Sequence, residues 1–179
     1  VFDPYQANSV PGLNSLKLKA NLVLCSHEHD DHNARNCVEV APKDFKVTCI
    51  ETYHDHHQGS HRGKNTIHIV DFEDLKVVHM GDIGCMMDDV SKLKNCDVLM
   101  IPIGGYYTID TKEALKYIER IQPRIVIPMH YRSGSMGYDV LSTNEEFIKN
   151  RKDICYVKDV IEVNQETQKQ TVIFEKPRN

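Results

Sequence analysis

Leu22-Val23-Leu24-Cys25-Ser26 runs directly into His27-Glu28-His29-Asp30-Asp31-His32. An apolar run that empties into imidazoles and carboxylates reads as a buried strand delivering metal ligands from a rigid base. The chain has ten histidines, and three of them fall within residues 27–32. Spacing adds a second inference. Residues two apart in an extended segment point the same way, so His27 and His29 share a direction while Asp31 and His32 turn toward a neighbouring position. One short segment thereby offers nitrogen and oxygen donors to two cations a few Å apart. Those donors suit zinc, and also iron or manganese. Glu28 and Asp30 alternate away and read as helpers or bystanders.

Working outward, further short apolar runs bounded by turn residues read as strands: Phe45–Ile50, Thr66–Val70, Lys76–Met80, Val98–Ile101 and Ile125–Ile127. Thr111 to Ile121 carries Ala114, Leu115, Ile118 and Ile121 on one stripe, with Asp110 and Glu113 placed as a capping box and Pro123 beyond the end. Ser142 followed by Glu145 predicts a second helix start. The tail returns to strand pattern at Asp159–Val163 and Thr171–Phe174. Residues 55–64 carry the longest loop signal, and loops of that kind often carry function. With no linker or repeat, 179 residues read as a single domain spanning 1–179.

Composition limits the classes of function. Hydrophobic residues make up 40% and charged residues 27%, as in ordinary globular proteins. A formal charge of −4 supplies no basic footprint for nucleic acid. No apolar run is long enough to cross a bilayer, so no membrane partner is expected. The six cysteines form no C-x-x-C pair. Cys25, Cys49 and Cys155 sit in apolar runs and read as small buried hydrophobes, and reduced thiols and a cytoplasmic location are expected.

Other strand ends carry further candidates. His54, His56, His57 and His61 compete to be a third ligand, and His54 is favoured because it lies nearest a strand end. Met80-Gly81-Asp82 and Met129-His130-Tyr131 close two later runs. Phe2-Asp3-Pro4 reads as a strand entering a turn.

Together these segments resemble the metallo-β-lactamase superfamily. His27-x-His29-x-Asp31-His32 is similar to its H-x-H-x-D-H signature. Asp3 resembles its early supporting aspartate, Thr52-Tyr53-His54-Asp55 its third-histidine motif, Met80-Gly81-Asp82 its aspartate motif and Ile127-Pro128-Met129-His130-Tyr131 its last-histidine motif. Arg62-Gly63-Lys64-Asn65, His79 to Gly84 and Pro102 to Thr108 look like the stand-alone Zn-dependent hydrolase branch that includes ascorbate-6-phosphate lactonase-like proteins. The resemblance implies an α/β fold, a four-layer αβ/βα sandwich. The family's opening hairpin, with its Gly-His pair, has no counterpart ahead of Val1, and a sandwich lacking the first strands is expected.

The resemblance also implies two divalent cations, Zn2+ before Mn2+ or Fe2+. His27, His29 and His54 would hold one, Asp31, His32 and His130 the other, with Asp82 bridging. Asp31 and Asp82 are the candidate catalytic carboxylates, and Arg62, Tyr107 and Tyr131 the candidate substrate contacts. The implied activity is hydrolysis of an ester, lactone or phosphorylated small molecule by a hydroxide shared between the cations. A nucleic-acid phosphodiesterase ranks below this for want of charge. A di-iron oxidoreductase also ranks below, because those members carry a carboxylate where this chain has His29. A metal-stabilised scaffold without turnover is a fourth reading, and self-association stays open.

Overall fold

Runs of β-branched residues become strands because their stiff side chains pack well on a pleated surface. The computed structural model describes residues 1–175. The strands are β1 (Leu18–Ala20), β2 (Val38–Val40), β3 (Lys46–Tyr53), β4 (Lys64–Phe72), β5 (Leu75–His79), β6 (Val98–Pro102), β7 (Ile125–Met129), β8 (Ile154–Val157) and β9 (Gln170–Phe174). The helices are α1 (Thr111–Ile121) and α2 (Glu145–Lys149). β3 to β9 form a seven-stranded mixed sheet in the order β3-β4-β5-β6-β7-β9-β8, and β1 and β2 form a separate parallel pair. β3, β4 and β5 pair antiparallel, and from β5 onward every pairing is parallel.

Period-two alternation splits the core. Val78, Leu99, Ile101 and Val126 face the main cluster, while their neighbours Val77, Val98, Met100, Ile125 and Ile127 face a second, smaller one. The main cluster is closed by Ala114, Tyr117, Ile118 and Ile121 of α1 and by Phe147 of α2. Both α-helices therefore cover the same face of the large sheet. The expected layers are built unequally: the large sheet and its helical cover are full, and the second sheet is reduced to two three-residue strands.

α1 matches its sequence reading residue for residue. Asp110 accepts the Glu113 backbone N–H at 2.9 Å, and the Glu113 carboxylate accepts the Asp110 N–H at 3.1 Å. Gln122 adopts the left-handed conformation as C-cap, and Pro123 follows. Other expectations are corrected. Leu22–Cys25 forms no strand; only Leu24 makes an isolated bridge, to Phe2. Asp159–Val163 is irregular, and the strand lies earlier at Ile154–Val157. α2 begins at Glu145 with Asn144 as its N-cap, not Ser142, and the cap makes no side-chain hydrogen bond. All six cysteines are free, but the buried one is Cys96; Cys49 is exposed, and Cys25 and Cys155 are half-buried. Among the described residues, no helix is long and apolar enough to cross a membrane.

Candidate metal centre

Parallel strands expose their carboxyl ends along one edge of a sheet, and side chains just beyond those ends converge. β3 ends at Tyr53 and hands over to His54, β5 ends at His79 and leads to Asp82, and β7 ends at Met129 and leads to His130. The loop holding His27 to His32 meets this edge. The result is three overlapping donor clusters: His27 with His29 and His54; His27 with His32 and Asp82; Asp31 with His32 and His130. Within each cluster the donor atoms lie within 4.8 Å of one another.

Asp82 is the common point. Its Oδ2 lies 3.1 Å from His130 Nε2, 3.3 Å from His32 Nε2 and 3.4 Å from His54 Nε2. The carboxylate is 2% exposed. Burial raises its pKa, but the adjacent His130 and His32 outweigh that and hold it well below the ordinary range.

Each imidazole is oriented by what its other nitrogen touches. His54 Nδ1–H donates to the Tyr107 carbonyl at 3.1 Å, and His32 Nδ1–H donates to Asp3 Oδ2 at 3.0 Å. The Ser26 hydroxyl donates to Asp3 Oδ2 at 2.6 Å, so its oxygen accepts from His27 Nδ1–H at 2.9 Å. In all three rings Nε2 is left facing the cluster. Asp3 also accepts the Ser26 backbone N–H at 2.6 Å, and it holds a positive φ of 41° to do so. His130 likewise sits at φ 53°, a conformation that a histidine adopts at a cost of about 1–3 kcal/mol.

The two ends of the cluster differ electrostatically. Burial, with His32 adding to it, pulls His27 down to about 3. Burial also pulls on His32, but Asp82 and Asp3 dominate and push it up to about 11. His27 therefore offers a free lone pair, while His32 is held protonated against Asp82 and Asp3, and the neighbouring Asp82 carboxylate, against the pull of burial, raises His130 in the same direction.

This is a donor set that fits divalent cations. His27 Nε2 and Asp82 Oδ1 are buried and have no hydrogen-bond partner among the described residues. Buried polar atoms rarely go unpaired unless something else satisfies them. Mixed imidazole and carboxylate donors are what zinc, iron and manganese accept.

Several supports were not visible in the sequence. Asn65, fully buried, donates to Thr52 Oγ1 and the Met80 carbonyl and accepts the Asp82 backbone N–H at 2.8 Å. It ties β3 and β4 to the loop that carries Asp82. Gly84 lies so near the β3 end that a Cβ there would stand 2.5 Å from the His54 carbonyl carbon and the Asp55 nitrogen. Tyr138 joins the aromatic rim, its ring 5.8 Å from Tyr107. Asn65 and Gly84 stand in the Arg62–Asn65 and His79–Gly84 segments that carry the resemblance, but nothing in their spacing signals these contacts, and Tyr138 carries no signal at all.

Of the other candidates, Tyr107 stands at the rim with its ring 6.5 Å from His130, and Arg62 lies 5.2 Å over the Tyr107 ring. Tyr131 packs against the main core with its hydroxyl facing Asn144, and it also lines the cavity beside the cluster. Lys64 pairs with Glu51 on the surface. His57 and His61 lie ring against ring in the loop, tilted by 38°, and His56 faces Glu113. His79 accepts the Gly81 N–H and stacks on Phe2 4.7 Å away, behind Asp3. Glu28 pairs with Arg35, and Asp30 accepts a hydrogen bond from Gln6. A cavity of about 560 Å3 opens beside the cluster, with Asp31, His32, Asp82, His130 and Tyr138 in its wall.

Strand order, donor placement and supporting aspartate together define a metallo-β-lactamase-type fold with a candidate metal centre. The chain belongs to the β-lactamase superfamily domain family, whose model matches residues 1–130. It is similar to a UPF0173 metal-dependent hydrolase of Natranaerobius thermophilus, 28% identical over 84% of this chain and 82% of the relative. A like-named protein of Staphylothermus marinus is 38% identical, over 50% of this chain and 39% of its own length. Among solved structures, a Thermotoga maritima protein described as a Zn-dependent hydrolase of the metallo-β-lactamase superfamily superimposes with a TM-score of 0.72. It is 23% identical, with 96% of this chain and 87% of that one covered.

Proposed function

We propose that the protein hydrolyses an ester, lactone or phosphorylated small molecule with two divalent cations, zinc before manganese or iron. The observation that carries this reading is the approach of Asp82 Oδ2 to Nε2 of three histidines from separate segments. His27, His29 and His54 would hold one cation and Asp31, His32 and His130 the other, with Asp82 shared by the two donor sets. Bound there, the cations supply a water acidic enough to ionise near neutral pH and positive charge for the oxygen under attack.

The chain's own groups do the rest. Asp3, Ser26 and the Tyr107 carbonyl fix the imidazoles, so little reorganisation remains when substrate arrives. Asp31 and Asp82 are the catalytic carboxylates: Asp82 joins the two donor sets, and Asp31, in the cavity wall, is placed to receive a proton. Arg62 and Tyr107 meet the substrate at the rim. Nucleic acid remains the weaker substrate class at a net charge of −4, and imidazole at His29 favours hydrolysis over oxygen chemistry.

The test is metal analysis of the metal-loaded protein beside His27→Ala, followed by a screen of lactones, phosphodiesters and phosphosugars. Two metals per chain, with loss in the variant, is expected. Fewer than one metal per chain, unchanged by the substitution, would sink the proposal.

A further inference from the structure

The loop between β3 and β4 is organised around one carboxylate. Asp55 is 3% exposed, and no lysine or arginine side chain among the described residues pairs with it. Instead it accepts four backbone N–H groups from the eight residues that follow. Oδ1 takes those of His57 at 2.7 Å and Gly59 at 3.0 Å, and Oδ2 takes those of His61 at 3.1 Å and Arg62 at 2.7 Å. The loop then closes on its own stem, with Gly63 N–H donating to the Gly59 carbonyl and His54 N–H to the Gly63 carbonyl. A loop with little apolar surface of its own is held in one shape by these bonds.

That shape has a product. Arg62, the last residue of the ring, is half-buried with its guanidinium 5.2 Å from the Tyr107 ring centroid and 5.9 Å from that of Tyr106. No carboxylate among the described residues lies within 4.0 Å of it. Tyr107 is the residue whose carbonyl fixes His54 and whose ring edges His130. The guanidinium thus stands one side chain away from ligands of both donor sets, stacked on aromatic faces and without a counter-charge. Planar, weakly hydrated and forked, it is suited to a carboxylate, sulfonate or phosphate group.

We infer that Asp55 is a positioning residue that holds Arg62 as an anion-recognition arm at the rim of the metal centre, so that the substrate carries an anionic group beside its scissile bond. This deepens the hydrolase reading and rests on it for the word substrate, but the arm itself is testable without turnover. Asn at position 55 keeps the size of Asp while offering one acceptor oxygen and two donors, so half of the amide ring loses its partner.

The probe is benzenesulfonate, a monoanion with an aromatic face and weak affinity for metals, titrated calorimetrically into metal-loaded and chelator-stripped protein. Binding is expected in both forms, weakened about tenfold or more by Arg62→Ala and less by Arg62→Lys. Asp55→Asn is expected to weaken it as much as Arg62→Ala, with faster hydrogen exchange confined to the amides of 57–62. Equal binding by wild type and Arg62→Ala overturns the arm. Binding lost with Arg62→Ala but kept by Asp55→Asn overturns the positioning role. Because stripped protein is included, loss of metal content bears on the hydrolase reading and leaves this result separate.

Discussion

At the scale of single residues, chemistry was legible where it is written in residue type and local spacing. His27, His29, Asp31 and His32 announce themselves within six positions, and His54, Asp82 and His130 each lie a few residues past an apolar run that reads as a strand. Asn65 and Ser26 did not, because what they do depends on partners 17 and 23 positions away. Asp3 makes a sharp test of this buried support. Asp3→Ala removes the acceptor of His32 Nδ1–H and of both Ser26 donors, and metal affinity is expected to fall about 10- to 100-fold, read by competition with a chelating dye. The proton on His32 gives a second expectation. With its pKa pushed up to about 11, a cation must displace that proton at neutral pH, so binding releases it and tightens as pH rises. Calorimetry of metal binding in buffers of different ionisation enthalpy reads the number released, and a value of zero contradicts the assignment.

At the scale of elements, α1 was readable because its signals are local: a capping box, a stripe and a proline stop. Removing the box by Asp110→Ala should cost about 0.5–2 kcal/mol in urea unfolding. Strand ends were less readable. β3 runs on through Glu51 and Thr52 to Tyr53 because β4 pairs with it along its whole length, and a partner's register is not written in a strand's own residues. The same reason defeats Leu22–Cys25, whose apolar run finds a bridge only at Leu24. Gly84→Ala belongs at this scale too. Its Cβ would press on the backbone at the end of β3, and a loss of about 1–3 kcal/mol is expected, together with weakened metal binding through the displaced His54.

At the scale of the whole molecule, the resemblance implied an α/β sandwich short of its first strands, but not that the second sheet would shrink to two three-residue strands, since its size is decided by pairing between distant segments. The pH dependence of stability also belongs to the whole. His68 and His79 are buried on the large sheet, and burial lowers both pKa values from 6.5, His79 to about 4. At these two sites the folded state therefore binds fewer protons than the unfolded chain as pH falls below 6.5. Their contribution is full above that value and is lost progressively toward about 4. The thermal midpoint of chelator-treated protein should drop between about pH 7 and pH 5, and His68→Gln should shallow the slope.

The donors span residues 27 to 130 of the chain, and that spread orders events during synthesis. A ribosome that has released only β1 to β5 has exposed His27, His29 and His54 with no Asp82 to anchor them, and Asp31 and His32 with no His130 to complete the second set. Capture of cations in the final arrangement must wait until β7 has emerged and docked beside β6. Chains truncated shortly before residue 130 should therefore bind metal loosely and give it up to weak chelators, however much of the sheet they form.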